Sequence, residues 1–123
     1  MELVFCFGRV LAITSQTVRE PLANMVHSNT ARAGLTGYLK TLAREVAADG
    51  VTVNSILPGA HATDRVRSLG EGIVESLAAQ LPGGRIGDAR DFGRLAASLC
   101  SDFARHVNGT TLLVDGGSSA GLF

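Results

Sequence analysis

Several features that would define a class of function are absent from this sequence or scarce in it. Among 123 residues there is no tryptophan and only one tyrosine, and eleven basic residues balance eleven acidic ones. No long run of like charges occurs, so neither a nucleic-acid-binding surface nor a membrane-surface patch is indicated. The partners that remain are small molecules and other protein chains.

Cysteine and long apolar runs are equally scarce. Cys6 and Cys100 are too few and too far apart for a disulfide framework or a metal cluster, so we expect two reduced, buried thiols in a cytoplasmic protein. No segment approaches the roughly 20 apolar residues that cross a bilayer. The apolar start, MELVFCFGRVLAI, is broken by Gly8 and Arg9 and begins with an acidic residue, so a signal peptide is not expected.

Glycine, in contrast, is abundant, with fifteen residues, and strand patterns alternate with helix patterns. Apolar runs predict the strands, and apolar residues at three- and four-residue steps predict the helices. In order, these are a strand over 9–14, a helix from an Asn24 cap to about 49, a strand over 51–57, helices over 64–80 and 89–101, and a strand over 110–114. The alternation predicts one α/β domain with a parallel sheet flanked by helices.

Five segments occur in the order and spacing of the short-chain dehydrogenase/reductase family. They are ITS at the end of the first strand, AGLTGYLKTLAREVAADGVTVN, PGAHATD, LPGGRIGDARD and VNGTTLLVDGG. The chain therefore resembles the C-terminal half of that family over residues 8–117. The resemblance implies a partial Rossmann-like sheet built from the three C-terminal strands, with an atypical lead-in over 1–7 and a loose tail over 116–123.

The glycine-rich turn with which this family binds the cofactor pyrophosphate has no counterpart here. The nearest approach, over 70–72, lacks a third glycine and follows no strand, so it is interpreted as a kink or loop between helices. The family's Asn-Asn-Ala-Gly strand ending is also missing. We therefore expect a truncated form whose first strand exposes an unpaired edge, and which alone does not measurably bind NAD or NADP.

The resemblance also locates the catalytic positions. In typical members a serine after the ITS strand orients the substrate carbonyl, a tyrosine transfers the proton, and a lysine one helical turn further lowers the tyrosine pKa and binds the nicotinamide ribose. Ser15, Ser28 and Arg32 stand at these positions. An aliphatic hydroxyl is a weaker proton donor than a phenol, and arginine keeps its proton, although its planar fork suits ribose hydroxyls or phosphate. For Ser15, capping the strand end is the alternative.

Other candidates are weaker. Tyr38 lies ten residues beyond Ser28, about 15 Å along the helix axis, so it is interpreted as a packing residue rather than a replacement phenol. His27 is expected to be a solvated residue of the first turn. The loop after the second strand either closes that strand as a turn or contacts the nicotinamide end of the cofactor, as the resemblance implies. The residues matching the family there are Pro58, Gly59, His61 and Thr63.

Two functions follow. The resemblance implies an NAD(P)-dependent oxidoreductase of the short-chain type, truncated and catalytically atypical, that transfers hydride to or from a small-molecule carbonyl or alcohol bound over 64–80. The alternative is a non-catalytic, degenerate paralogue that acts as a protein-interaction or oligomerisation module, because the pyrophosphate-binding turn and the Tyr/Lys pair are both missing. Family members commonly assemble through the long helix and the last strand, so a homo-oligomer is expected under either hypothesis.

Overall fold

The computed structural model describes the backbone of residues 2–6 and the whole of residues 8–123. Its strands are β1 (Glu2–Cys6), β2 (Arg9–Ile13), β3 (Thr52–Pro58), β4 (His61–Ala62), β5 (Gly87–Asp88) and β6 (Thr111–Val114). Its α-helices are α1 (Val26–Glu45), α2 (Asp64–Arg67), α3 (Ile73–Ala79) and α4 (Ala89–Leu99). Short 3-10 helices lie at residues 16–18, 47–49 and 102–104. The three predicted strands and the long helix are confirmed.

The main sheet has the strand order β1-β2-β3-β6, and β4 and β5 form a separate small ladder. The three predicted strands are neighbours and run parallel, which confirms the α/β class. β1 adds a fourth strand, antiparallel to β2. The expectation of an unpaired edge on β2 was therefore wrong. Gly8, with φ +79°, adopts the left-handed conformation that glycine allows, and the segment before it turns back to pair with β2.

One face of the sheet carries the main core. Leu39 and Ala43 of α1 are buried against Ala12 of β2 and Val53 of β3. α1 is therefore anchored by its middle and last turns, which hold its first turns in a fixed position beside the sheet.

The opposite face is covered by α4. Leu11 and Ile56, which alternate with the α1-facing residues, are at most 2% exposed. Arg9, on the same face as Leu11, reaches the carbonyl oxygen of Ser101 just after α4. Helices thus cover both faces, as predicted. No helix among the described residues is long and apolar enough to cross a bilayer.

The start of α1 differs from the prediction. Asn24 is not the N-cap: it adopts a left-handed conformation with φ 63°, and Met25 precedes the helix without a capping side chain. The Asn29 side chain instead donates to the Leu22 carbonyl oxygen at 2.9 Å and ties down the approaching segment. Asparagine tolerates the left-handed region well, so Asn24 makes a turn where the sequence predicted a cap.

Two further predictions concern exposure and helix continuity. Tyr38 is 63% exposed, so its predicted packing role is wrong, and the buried stripe passes through its neighbour Leu39. The region predicted as helical over 64–80 is divided into α2 and α3, with Gly70 and Gly72 at positive φ between them. This confirms the predicted kink.

Candidate active site

The candidate site lies near the carboxyl ends of the parallel strands, where ligands bind in open α/β sheets. Ser15 follows β2, and its Oγ accepts a hydrogen bond from the Thr17 amide at 3.2 Å. The hydroxyl therefore caps the 3-10 turn over 16–18, and that turn packs against α1. Accepting this bond leaves the hydroxyl proton of Ser15 available to another group.

Ser28 and Arg32 lie one turn apart on α1 and share a groove of about 670 Å³, lined also by His27, Ala31 and Leu35. Ser28 Oγ and Arg32 Nε are buried, and neither finds a hydrogen-bond partner within the described structure. Buried polar atoms are almost always paired in native proteins. Ser28 Oγ and Arg32 Nε are both shielded from solvent at the wall of the groove, so each side chain must rotate before it can donate to an oxygen atom bound there. His27 is exposed, as predicted.

The chain offers no replacement for the missing phenol and lysine in this groove. Tyr38 is largely exposed, and Lys40 donates to the carbonyl oxygen of Gly109 at 2.8 Å, which fastens α1 to the turn before β6. Across the described part of the chain, no three histidine, cysteine or acidic side chains come together as a metal site requires. The polar side chains that line the groove are therefore the Ser28 hydroxyl, the Arg32 guanidinium and the exposed imidazole of His27.

The loop after β3 is held by close packing at Gly59. The amide of Gly59 donates to the Val114 carbonyl oxygen at 2.9 Å. A Cβ at this position would lie 2.8 Å from Cβ of Asp115 and 2.9 Å from Oε1 of Gln16. Glycine is therefore required where this loop meets the end of β6 and the turn that follows Ser15.

His61 and Thr63 are used inside the same loop. The His61 ring is 9% exposed, its Nδ1 lies 3.1 Å from the Gly59 carbonyl oxygen, and its edge packs against Phe92. Thr63 Oγ1 accepts from the Val66 amide at 3.2 Å and caps α2. Pro58 ends β3. Each of these three residues therefore helps to shape the loop itself.

Residues 3–119 match the family model described as enoyl-(acyl carrier protein) reductase. The chain belongs to the short-chain dehydrogenase/reductase family. It is 41% identical over 110 residues to 3-oxoacyl-[acyl-carrier-protein] reductase FabG of Salmonella typhimurium, covering 89% of this chain and 45% of that protein. It is 37% identical over 112 residues to acetoacetyl-CoA reductase of Shinella zoogloeoides, covering 90% and 46%.

Solved structures of this family superpose closely on the chain. YwfH, an NADPH-dependent reductase involved in bacilysin biosynthesis, has a TM-score of 0.82 at 31% identity and covers 91% of this chain and 47% of that one. Acetoin dehydrogenase YohF of Salmonella typhimurium has a TM-score of 0.77 at 31% identity, covering 89% and 42%. The family and fold predicted from the five segments are confirmed. The chain spans slightly less than half the length of these relatives.

Within this short-chain dehydrogenase/reductase chain, Asp115 is the organising residue that the sequence analysis missed. Asp115 is 8% exposed, and its carboxylate accepts hydrogen bonds from the amides of Ser119 at 2.8 Å and Gly117 at 2.9 Å. Burial alone would raise the pKa of Asp115, but hydrogen bonds from Ser119, Gly117 and Ser118 hold the pKa below its usual value. An aspartate just before a Gly-Gly-Ser-Ser run is a recognisable turn signal.

Asp115 also connects residues 116–119 to the turn that follows Ser15. Ser118 Oγ lies 3.1 Å from Asp115 Oδ2 and 3.1 Å from Oε1 of Gln16, next to Ser15. Residues 116–119 are therefore not the loose tail that the sequence predicted, because a buried carboxylate collects their polar groups. The side chain of Cys6 lies outside the described residues, and Cys100 is half-buried.

Proposed function

We propose that Ser15, Ser28 and Arg32 form the substrate-oxygen end of an NAD(P)-dependent short-chain oxidoreductase site that acts on a small carbonyl or alcohol compound. The observation that supports this most is the groove on α1, where two buried polar atoms without partners occupy the positions of the family's proton donor and its cationic helper. Two relatives are named for 3-oxoacyl and acetoacetyl reduction, so a 3-oxoacyl thioester is the substrate class we infer.

This chain offers contacts to the nicotinamide end of the cofactor but not to its pyrophosphate. The guanidinium of Arg32, whose Nε has no partner in the described structure, suits the hydroxyls of the nicotinamide ribose, and the loop from Gly59 to Thr63 offers backbone groups. A glycine-rich turn for the pyrophosphate does not occur in the 123 residues. When bound, the cofactor supplies or accepts the hydride.

The proposed role of each side chain follows from the hydrogen that it can donate or from the charge that it carries. Ser28 donates its hydroxyl hydrogen to the substrate oxygen, and Ser15, whose oxygen already accepts from Thr17, donates a second hydrogen bond. The charge of Arg32 stabilises negative charge that develops on the same oxygen. Ser28 is a poor proton source, and a positioned general acid contributes about 10²–10⁴-fold to rate. We therefore expect turnover well below that of a tyrosine-containing relative.

A chimera tests this function. Residues 8–119 would replace the aligned half of Salmonella typhimurium FabG, with which the chain shares 41% identity, and NADPH-dependent reduction of an acetoacetyl thioester would be followed by absorbance. We expect slow turnover that Ser28→Ala together with Arg32→Gln abolishes. The pair Ser28→Tyr and Arg32→Lys should raise it by about 10²-fold, because it restores a phenol beside a cation.

The controls separate failure of the site from failure of the fold. Arg44→Gln, on the exposed side of α1, should leave turnover unchanged. A chimera that binds NADPH but gains nothing from the Tyr/Lys pair would argue against a retained oxidoreductase geometry. The unmodified 123-residue chain should show no fluorescence change with NADH or NADPH at micromolar concentration, since it lacks the pyrophosphate-binding turn.

The second candidate function is a non-catalytic module that self-associates. Val26 and Tyr38 of α1 are 71% and 63% exposed. They lie about 120° apart around the helix and about 18 Å apart along it, so each would make a separate contact if α1 packs against another chain. We propose a homo-oligomer that uses this helix. A cytoplasmic location stays a prediction from the sequence.

Sedimentation velocity tests self-association. Val26→Lys combined with Tyr38→Lys should shift the chain from dimer to monomer at micromolar concentration, because a lysine head group buried at an interface loses its hydration. Leu69→Lys, at a residue that is 67% exposed between α2 and α3, is the matched control and should leave the dimer intact. A chain that is monomeric before mutation would refute the oligomer.

A further inference from the structure

A second cleft lies at the other end of the sheet, where the parallel strands begin. Its volume is about 820 Å³, and three basic side chains line it: Arg9, Arg105 and His106. None of the described residues in its wall is acidic, and the nearby carboxylates of Asp49 and Asp102 are not part of that wall. β2 separates the cleft from Ser15 by about 20 Å, so the proposed oxidoreductase site makes no use of it.

Arg9 is buried, and no described side chain forms an ion pair with it. It is 9% exposed, and its two contacts are long: Nε lies 3.5 Å from the Ser101 carbonyl oxygen and Nη1 lies 3.4 Å from that of Gly50. Both ion pairs found among the described residues involve other side chains. A guanidinium has five N–H donors, and buried charges are normally paired. Arg9 therefore presents an uncompensated positive charge and unused donors to the cleft.

A buried hydroxyl stands beside this guanidinium. Thr52 pairs with Arg9 in the parallel register of β2 and β3, so the two side chains project from the same face. Thr52 is 5% exposed, and its Oγ1 has no hydrogen-bond partner in the described structure. An unpaired buried hydroxyl is costly, and Thr52 lines the cleft although its Oγ1 is shielded from solvent. Rotation about the Cα–Cβ bond of Thr52 is therefore needed before this hydroxyl can donate to a ligand oxygen.

Asn108 and Arg105 also line the cleft, and they differ in whether the protein already uses their hydrogen-bonding groups. Asn108 is occupied, since its Oδ1 accepts from the Val53 amide and its Nδ2 donates to the Ala43 carbonyl oxygen. Arg105 uses only Nε, which donates to the Asp102 carbonyl oxygen at 2.9 Å. No hydrogen bond is found for its terminal nitrogens among the described residues, and Arg105 lines the same cleft as Arg9.

We propose that this cleft is a binding site for a phosphate group, held between the guanidiniums of Arg9 and Arg105 with the hydroxyl of Thr52 as a further donor. Arginine matches phosphate through two parallel N–H···O bonds, and the two guanidiniums that line this cleft carry the charge needed to balance a doubly charged anion. The volume exceeds that of inorganic phosphate alone, so the phosphate is either free or the end of a small organic phosphate monoester.

Calorimetric titration of the 123-residue chain with inorganic phosphate and with ribose 5-phosphate tests the site. Saturable binding is expected, and Arg105→Gln should weaken it about tenfold, the loss of one charge-assisted contact. Arg94→Gln, an exposed arginine of α4 outside the cleft, should change nothing. Ribose 5-phosphate binding at least tenfold tighter than phosphate identifies a monoester site, whereas equal affinities identify a free phosphate site.

Replacing the buried Arg9 would affect folding as well as binding, so Thr52→Val is the variant that tests the buried end of the cleft. Valine has nearly the shape of threonine and removes only an unpaired hydroxyl, so the fold should persist while phosphate binding weakens severalfold. Absence of saturable binding of both probes up to about 10 mM, or binding that neither Arg105→Gln nor Thr52→Val weakens, would overturn the site. Because neither probe requires turnover, this outcome is independent of the oxidoreductase test.

Discussion

Gly59→Ala is expected to lower the free energy of unfolding by about 2–3 kcal/mol, the cost of forcing an extra methyl group into a packed site. The added Cβ would lie 2.8 Å from Cβ and 2.9 Å from Cα of Asp115. These atoms cannot rotate away, since the Gly59 amide is bonded to Val114 and the Asp115 carboxylate is bonded to the turn behind it. The loop would have to separate from the end of β6.

Gly37→Ala is the matched control for this change. Gly37 lies within α1 with open space around the Cβ position, and alanine is favoured over glycine in a helix by about 1 kcal/mol. The two substitutions should therefore shift the midpoint of urea unfolding in opposite directions. A Gly59→Ala protein as stable as the unmodified chain would show that the loop is not packed against Asp115.

Asp115→Asn should lower the free energy of unfolding at pH 7 by about 2–3 kcal/mol. The carboxylate accepts charge-assisted hydrogen bonds from the Ser119 and Gly117 amides, each worth about 1.5–3 kcal/mol. Asparagine keeps one acceptor oxygen but turns an NH₂ group toward the second donor. Because Asp115 joins Gln16 through Ser118, the turn that follows Ser15 should loosen as well.

The pH dependence provides the check on Asp115. Its pKa is lower in the folded than in the unfolded chain, so its contribution is fully present above the unfolded pKa of about 3.9 and is lost as pH falls through the folded pKa. The stability gap between the two proteins should be constant near neutrality and shrink below about pH 4. The amides of Asp91 and Arg90 also lower the pKa of Asp88. Because Asp88 is present in both proteins, its contribution cancels in the difference between their free energies of unfolding. Asp102→Asn, at an exposed carboxyl, should produce no gap.

Much of the fold was predictable, because it depends on local patterns. Alternation and helical periodicity located the three parallel strands, α1 and α4, and the glycines at 70 and 72 located the break between α2 and α3. The errors concern residues with more than one favourable role. Asn24 suits both a cap and a left-handed turn, and Tyr38 sits at the edge of the apolar stripe, where a small rotation of the helix decides its exposure.

The candidate site was predictable in its positions and less so in its contacts. Spacing along α1 paired Ser28 with Arg32, and the structure places both in one groove. Their lack of partners depends on which groups the rest of the chain brings near, and this was not readable from α1 alone. The role of Asp115 was missed for the same reason, since its partners lie on a turn that looked loose.

The sequence by itself determined the family and showed Ser28 and Arg32 where the family's spacing places a tyrosine and a lysine, because both depend on residue types at fixed spacing. Only the tertiary structure decided that residues 2–6 close the edge of β2, that Gly59 packs between Asp115 and Gln16, and that Arg9 is buried with no ion pair to a described side chain. Each of these results from contacts between distant segments. Such contacts depend on which groups fill the space around a side chain, and local periodicity carries no information about that.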